Sequence, residues 1–83
     1  MRIATAGNTV VPALLTLERL GFTVTLTAAP EALCVAKRGD DEYMADDPVA
    51  VLGLVKLVEV RGPEWRASDQ EIDGTLRKYG LDG

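Results

Sequence analysis

Phe22-Thr23-Val24-Thr25-Leu26-Thr27 alternates an apolar residue with a threonine at every step. A strand repeats every two residues, so Phe22, Val24 and Leu26 turn to one side and the threonines to the other. This is the clearest strand in the 83 residues, and the flanking segments are read outward from it.

Just upstream, Val10, Ala13, Leu14, Leu17 and Leu20 recur at helical spacing. Thr9 or Asn8 is placed to cap this helix, Pro12 falls in its first turn, and Gly21 follows its end as a left-handed cap residue. Before the helix, Arg2 to Ala6 is expected to be a strand, broken by Gly7-Asn8-Thr9. A strand, a helix and a strand in this order predict a right-handed crossover with the two strands parallel.

Downstream, Ala28 to Glu31 is a turn, Ala32 to Lys37 a strand, and Arg38-Gly39-Asp40-Asp41 a second turn, with Gly39 free to take positive φ. Glu42 to Ala45 completes an antiparallel meander. Asp47 then caps a helix with Pro48 at its first position, and the helix stops at Gly62-Pro63. Ser68-Asp69-Gln70-Glu71 has the serine-to-glutamate spacing of a capping box and opens a last helix carrying Ile72, Leu76 and Tyr79 on one side.

The expected fold class is α/β (α+β), a two-layer sandwich in the order β-α-β-β-β-α-α. It has a four-stranded mixed sheet with helices on the face carrying Phe22, Val24 and Leu26. Residues 1–83 make a single compact domain in this reading, since so short a chain has no room for a second core.

The second helix is unusual. Val49 to Val58 is apolar on nearly every side. At 100° per residue, Val51, Leu54, Val55, Leu57 and Val58 span the side expected to pack, while Val49, Leu52, Lys56, Glu59 and Val60 lie opposite. Each leucine left wet forgoes about 1.5–3 kcal/mol of burial. Two covers are expected for Leu52: Trp65, reaching back past the helix end, or a second chain.

Charge is uneven. Residues 1–39 carry four bases against two acids, and residues 40–83 five bases against eleven acids. Asp40, Asp41, Glu42, Asp46 and Asp47 fall within eight residues that hold no base. An acidic chain without a basic stripe is a poor nucleic-acid binder, because phosphate neutralisation supplies most non-specific affinity. The same charge suits a basic protein partner. The acids lack the spacing of a calcium loop, and no metal or other cofactor is expected.

Catalysis is not expected either. There is no histidine, the usual general base, and only one cysteine, Cys34, and one serine, Ser68, which the capping box already employs. Arg38-Gly39-Asp40 matches a cell-adhesion tripeptide and is read as a hairpin turn. Gly7-Asn8-Thr9, between strand and helix, resembles an anion-binding helix start but has neither the Gly-x-Gly-x-x-Gly nor the Gly-Lys-Ser/Thr pattern.

A single cysteine, no apolar leader and no span-length apolar run point to a cytoplasmic protein away from the membrane. The expected function is non-catalytic protein binding or regulation, with an unknown protein or a second copy of the chain as partner. The expected partner surface comprises Val49, Leu52, Lys56, Trp65, Asp40, Asp41, Glu42 and Asp46. The alternative is small-molecule or anion binding at Gly7, Asn8 and Thr9.

Overall fold

The alternating segment does form a strand at the edge of a three-stranded antiparallel sheet. The computed structural model describes residues 1–4 and 7–83. Its elements are α1 (Val10–Arg19), β1 (Thr23–Leu26), β2 (Cys34–Arg38), β3 (Asp41–Ala45), α2 (Pro48–Arg61) and α3 (Asp69–Lys78). The sheet order is β1-β2-β3. The fold is a small α+β arrangement of three helices and this sheet.

The expected strand over Arg2–Ala6 is not seen in its described part. Met1–Ala4 have no regular structure, and Thr5 and Ala6 lie outside the described residues. The four-stranded mixed sheet is therefore replaced, among the described residues, by three strands, all antiparallel. Local alternation can suggest a strand, but a strand exists only where a neighbour accepts its backbone hydrogen bonds.

Local chemistry explains the joints. Gly21 has φ +91°, and the pair Phe22 N–H to Leu17 C=O (3.0 Å) and Gly21 N–H to Glu18 C=O (2.9 Å) closes α1 as a Schellman motif. The chain leaves this cap directly into β1. Gly39 and Asp40 form the two-residue turn between Arg38 and Asp41, which pair. Gly39 has φ +61° and Asp40 a negative φ, the pattern of a type II′ hairpin with glycine first. Asp47 Oδ1 accepts from Ala50 N–H at 2.9 Å, with Pro48 behind it. Glu71 N–H donates to Ser68 Oγ (3.1 Å) and Ser68 N–H to Glu71 Oε1 (2.9 Å), which completes the capping box.

Register decides the two faces of the sheet. Val24, Ala36 and Tyr43 lie in one row, and Leu26, Cys34 and Ala45 in the next. These rows face the helices. Leu17, Phe22, Cys34, Ala36, Val51 and Val55 form the buried core, with Val24, Tyr43, Ala45 and Leu52 packed on it. Phe22 and Tyr43 meet edge to face at 5.6 Å, and the Arg38 guanidinium lies 4.3 Å over the Phe22 ring. Arg38 Nη1 also donates to Leu20 C=O at 2.9 Å, fastening the hairpin to the end of α1.

Two residues depart from the expected inside-out pattern. Leu26, although on the helix-facing side, is 59% exposed, because it sits at the open end of an edge strand. On α2, Leu52 packs against the core and Leu57 is exposed. The reason is that α2 rests on β2, β3 and α1 together. The covered arc runs from Leu54 through Val58, Val51 and Val55 to Leu52, about 160° at helical spacing.

Coverage by other elements stops there. The chain exposes 6754 Å², whereas a compact monomer of this mass exposes about 4,800 Å². Its radius of gyration is 15.3 Å, against about 12 Å for a compact chain of this length. The helix α3 buries no residue, and Arg61 bonds it to the end of α2 through Glu71.

Candidate functional site

The residues expected to form one partner surface fall into separate places. Val49 and Lys56 lie with Gly53, Leu57 and Val60 along the side of α2 that faces away from the sheet. Val60 is 70% exposed, and Lys56 Nζ is paired with Glu59 on its own helix, at 3.1 Å. Leu52 leaves this surface, since it packs on the core. Trp65 is not among the residues that line this side of α2.

Trp65 lies instead on the other flank of α2, in a groove that it shares with Leu54, Val58, Pro63, Tyr43, Met44, Asp41 and Glu42. The groove is about 300 Å³ and open to solvent. One backbone turn and two contacts set the tryptophan there. Gly62 has φ +85° and turns the chain at the end of α2. Arg61 Nε donates to Trp65 C=O at 2.8 Å. The Arg66 guanidinium stacks 4.8 Å from the ring. The ring is half-buried, with apolar residues beneath it and acids of β3 at the rim.

The backbone of β3 adds to this groove. In a two-residue hairpin the flanking residues Arg38 and Asp41 form a hydrogen-bonded pair, so Tyr43 and Ala45 also bond to β2. The N–H and C=O groups of Glu42 and Met44 point the other way, along an edge that no strand among the described residues pairs with. Glu42 makes one ion pair, with Lys37 at 3.7 Å across the strands, both side chains being largely exposed. Asp40 occupies the turn, and Asp46 is exposed just before α2. Asp41, Glu42 and Trp65 are thus brought together, although 23 or more positions separate the acids from the tryptophan in the chain. Sequence carried a signal for each part and none for their meeting.

The remaining candidates have local structural employment. Asn8 Oδ1 accepts from Val10 N–H at 3.0 Å and from Val11 N–H at 3.4 Å, so the start of α1 is occupied by a neutral side chain. Thr9 makes no side-chain cap, and Gly7 has φ +87°. Cys34 is buried on the central strand, and its thiol pKa is raised by burial and by the charge of Asp47. Thr27 closes the β1–β2 loop: its hydroxyl donates to Glu31 C=O at 2.6 Å and accepts from Leu33 N–H at 2.8 Å. Glu71 has its pKa lowered, first by the Ser68 N–H and then by Arg61.

Among the described residues no three acidic or cysteine side chains converge on a point that would hold a metal ion. Among these residues no helix is long and apolar enough to cross a membrane. No protein-family model, characterised protein or solved structure matches the chain.

Proposed function

We propose that the chain is a non-catalytic protein-binding domain whose docking site is the Trp65 groove along β3. The observation that carries this reading is the surface left uncovered: 6754 Å², about 1,900 Å² more than a compact monomer of this mass exposes. A standard interface removes about 800 Å² from each partner, so the excess is ample for one. Within the groove Met44 is exposed and Trp65 half-buried, and an exposed apolar patch is the usual mark of a binding face.

The groove has the parts that recognition needs. A half-buried tryptophan over apolar side chains is a typical energetic centre of an interface. Asp41 and Glu42 at the rim favour basic side chains and repel acidic ones. The unpaired backbone groups of Glu42 and Met44 suit an extended segment laid along the strand. The partner that fits is a protein presenting an extended, basic segment with an apolar anchor for Trp65.

The test is affinity capture from the native host with mass-spectrometric readout, run in parallel on the wild-type chain, Trp65→Ala and Asp41→Asn with Glu42→Gln. One basic protein is expected with the wild type, lost with Trp65→Ala and weakened by the double substitution. For that protein, association should slow steeply as salt is raised, and the double variant should flatten this dependence. Asp40→Asn with Asp41→Asn should likewise slow association at low salt. Identical capture by all three chains overturns the reading.

A further inference from the structure

The opposite edge of the sheet is built differently, and its chemistry points to a different occupant. Thr27 N–H donates to Leu33 C=O at 2.9 Å, so Thr27 faces β2. By alternation Thr25 and Thr23 also bond to β2, and the N–H and C=O groups of Val24 and Leu26 face outward, with no strand beside them among the described residues. Thr23–Leu26 carries no charge, proline or bulge, the devices by which edge strands avoid pairing with their own kind. Beside this edge, α1 and β1 enclose an open cleft of about 350 Å³ lined by Val11, Leu14, Leu15, Glu18, Val24 and Leu26. Leu15 is 60% exposed and Leu26 59%.

We infer that this edge is a self-association site. Two copies pair β1 against β1, antiparallel, about a two-fold axis through Thr25. The three-stranded sheet of each copy then continues into one of six strands. This inference does not rest on the Trp65 groove.

Three observations select a second copy as the occupant. The first is register. With the axis at Thr25, Val24 of one copy stands opposite Leu26 of the other, and these are the residues whose backbone groups point outward. Every free group of the edge therefore finds its partner in the copy. The second is the helix layer. This register keeps both helix layers on the same side of the joined sheet, so that Val11 and Leu15 of the two α1 helices face each other above it. The third is charge. Thr23–Leu26 is neutral, so a copy meets no like charge along it, whereas Asp41 and Glu42 on the β3 edge would repel a copy of themselves. Glu18 lies toward the Phe22 end of the cleft, so the axis sends the two Glu18 carboxylates to opposite ends of the interface.

The experiment is sedimentation of the full chain across a concentration series, with far-UV circular dichroism as the check on folding. The wild type is expected at twice the mass of a single chain. Thr25 faces its own symmetry mate at close range, so Thr25→Lys and Thr25→Glu are each expected to sediment as monomers with unchanged dichroism. A one-to-one mixture of the two variants should restore the dimer, because lysine then meets glutamate across the axis. Leu15→Glu, on the helix rather than the strand, should also dissociate it. A wild-type monomer at every concentration overturns the inference. A dimer that Thr25→Lys leaves whole overturns it as well, and moves the interface to another surface such as the outer side of α2.

Discussion

Arg38→Ala should cost about 2 kcal/mol, a large loss for one exposed side chain, and the structure shows where the cost arises. The Arg38 guanidinium lies 4.3 Å over the Phe22 ring, which is buried. A cation over an aromatic face contributes about 0.5–1 kcal/mol at an exposed site. Nη1 donates to Leu20 C=O at 2.9 Å, a bond of about 1 kcal/mol that also places positive charge at the C-terminal end of α1. The methylene stem covers Phe22 and passes Gly21, and losing part of that cover costs about 0.5 kcal/mol at roughly 0.8 kcal/mol per buried methylene. Domains of this length are stable by roughly 4–12 kcal/mol, so the change is readily measured. Urea unfolding followed by far-UV circular dichroism gives the free energy. Arg38→Lys should recover about half of the loss, since lysine keeps the charge and stem without the planar stack. A double-mutant cycle with Phe22→Leu should return a coupling of about 0.5–1 kcal/mol. A loss below about 0.5 kcal/mol, or a cycle with no coupling, would refute the clamp between the hairpin and α1.

Leu17→Ala empties the centre of the core, where Leu17 is fully buried, and should cost about 2–5 kcal/mol by urea unfolding. Two glycine-to-alanine changes should have opposite signs in thermal melts. Gly53→Ala adds a methyl into open space on a helix and should stabilise by about 0.5–1 kcal/mol, whereas Gly39→Ala, at φ +61°, should destabilise by about 1 kcal/mol. Glu71 has a lowered folded pKa, so its contribution to α3 is complete above the ordinary glutamate range and is lost as pH falls through the lowered value. Protection factors in residues 69–78, taken relative to the intrinsic exchange rate at each pH, should therefore fall on acidification in the wild type, and Glu71→Gln should lessen that fall.

The readable parts of this fold are those in which neighbours in sequence do the work. The turn glycine at position 39, the Asp47-Pro48 start and the Ser68–Glu71 box each act within a few residues, and the alternation of Phe22 to Thr27 meets its partner strand just across the next loop. What sequence obscured depends on non-local placement. Arg2 to Ala4 share the composition of a strand and have no regular structure, because strand pairing needs a neighbour that composition does not name. Leu26 follows the same alternation as Val24 and stays wet, because the cleft between α1 and β1 remains open beside it. Leu52 and Leu57 exchanged places because a helical wheel assumes a single contact direction, while α2 is held by the sheet and α1 at once. Asp41, Glu42 and Trp65 were each singled out from sequence, but only the turn at Gly62 and the Arg61 bond bring the tryptophan to β3.

The chain has one tryptophan and one cysteine, and they occupy regions of different mechanical standing. Cys34 is 1% exposed on the central strand, with a thiol held protonated by burial and Asp47. A thiol reagent reaches it only when β2 parts from its neighbours, so its labelling rate is a clock for opening of the whole sheet. Trp65 is half-buried in an open groove and held by Arg61 and Arg66, so its fluorescence follows slackening of the groove while the sheet stays shut. The native protein therefore carries two independent clocks without any engineered label. A ligand seated in the Trp65 groove alters the tryptophan signal first, whereas a copy zipped along β1 slows the thiol. Read together, they tell which edge of the sheet has found its companion.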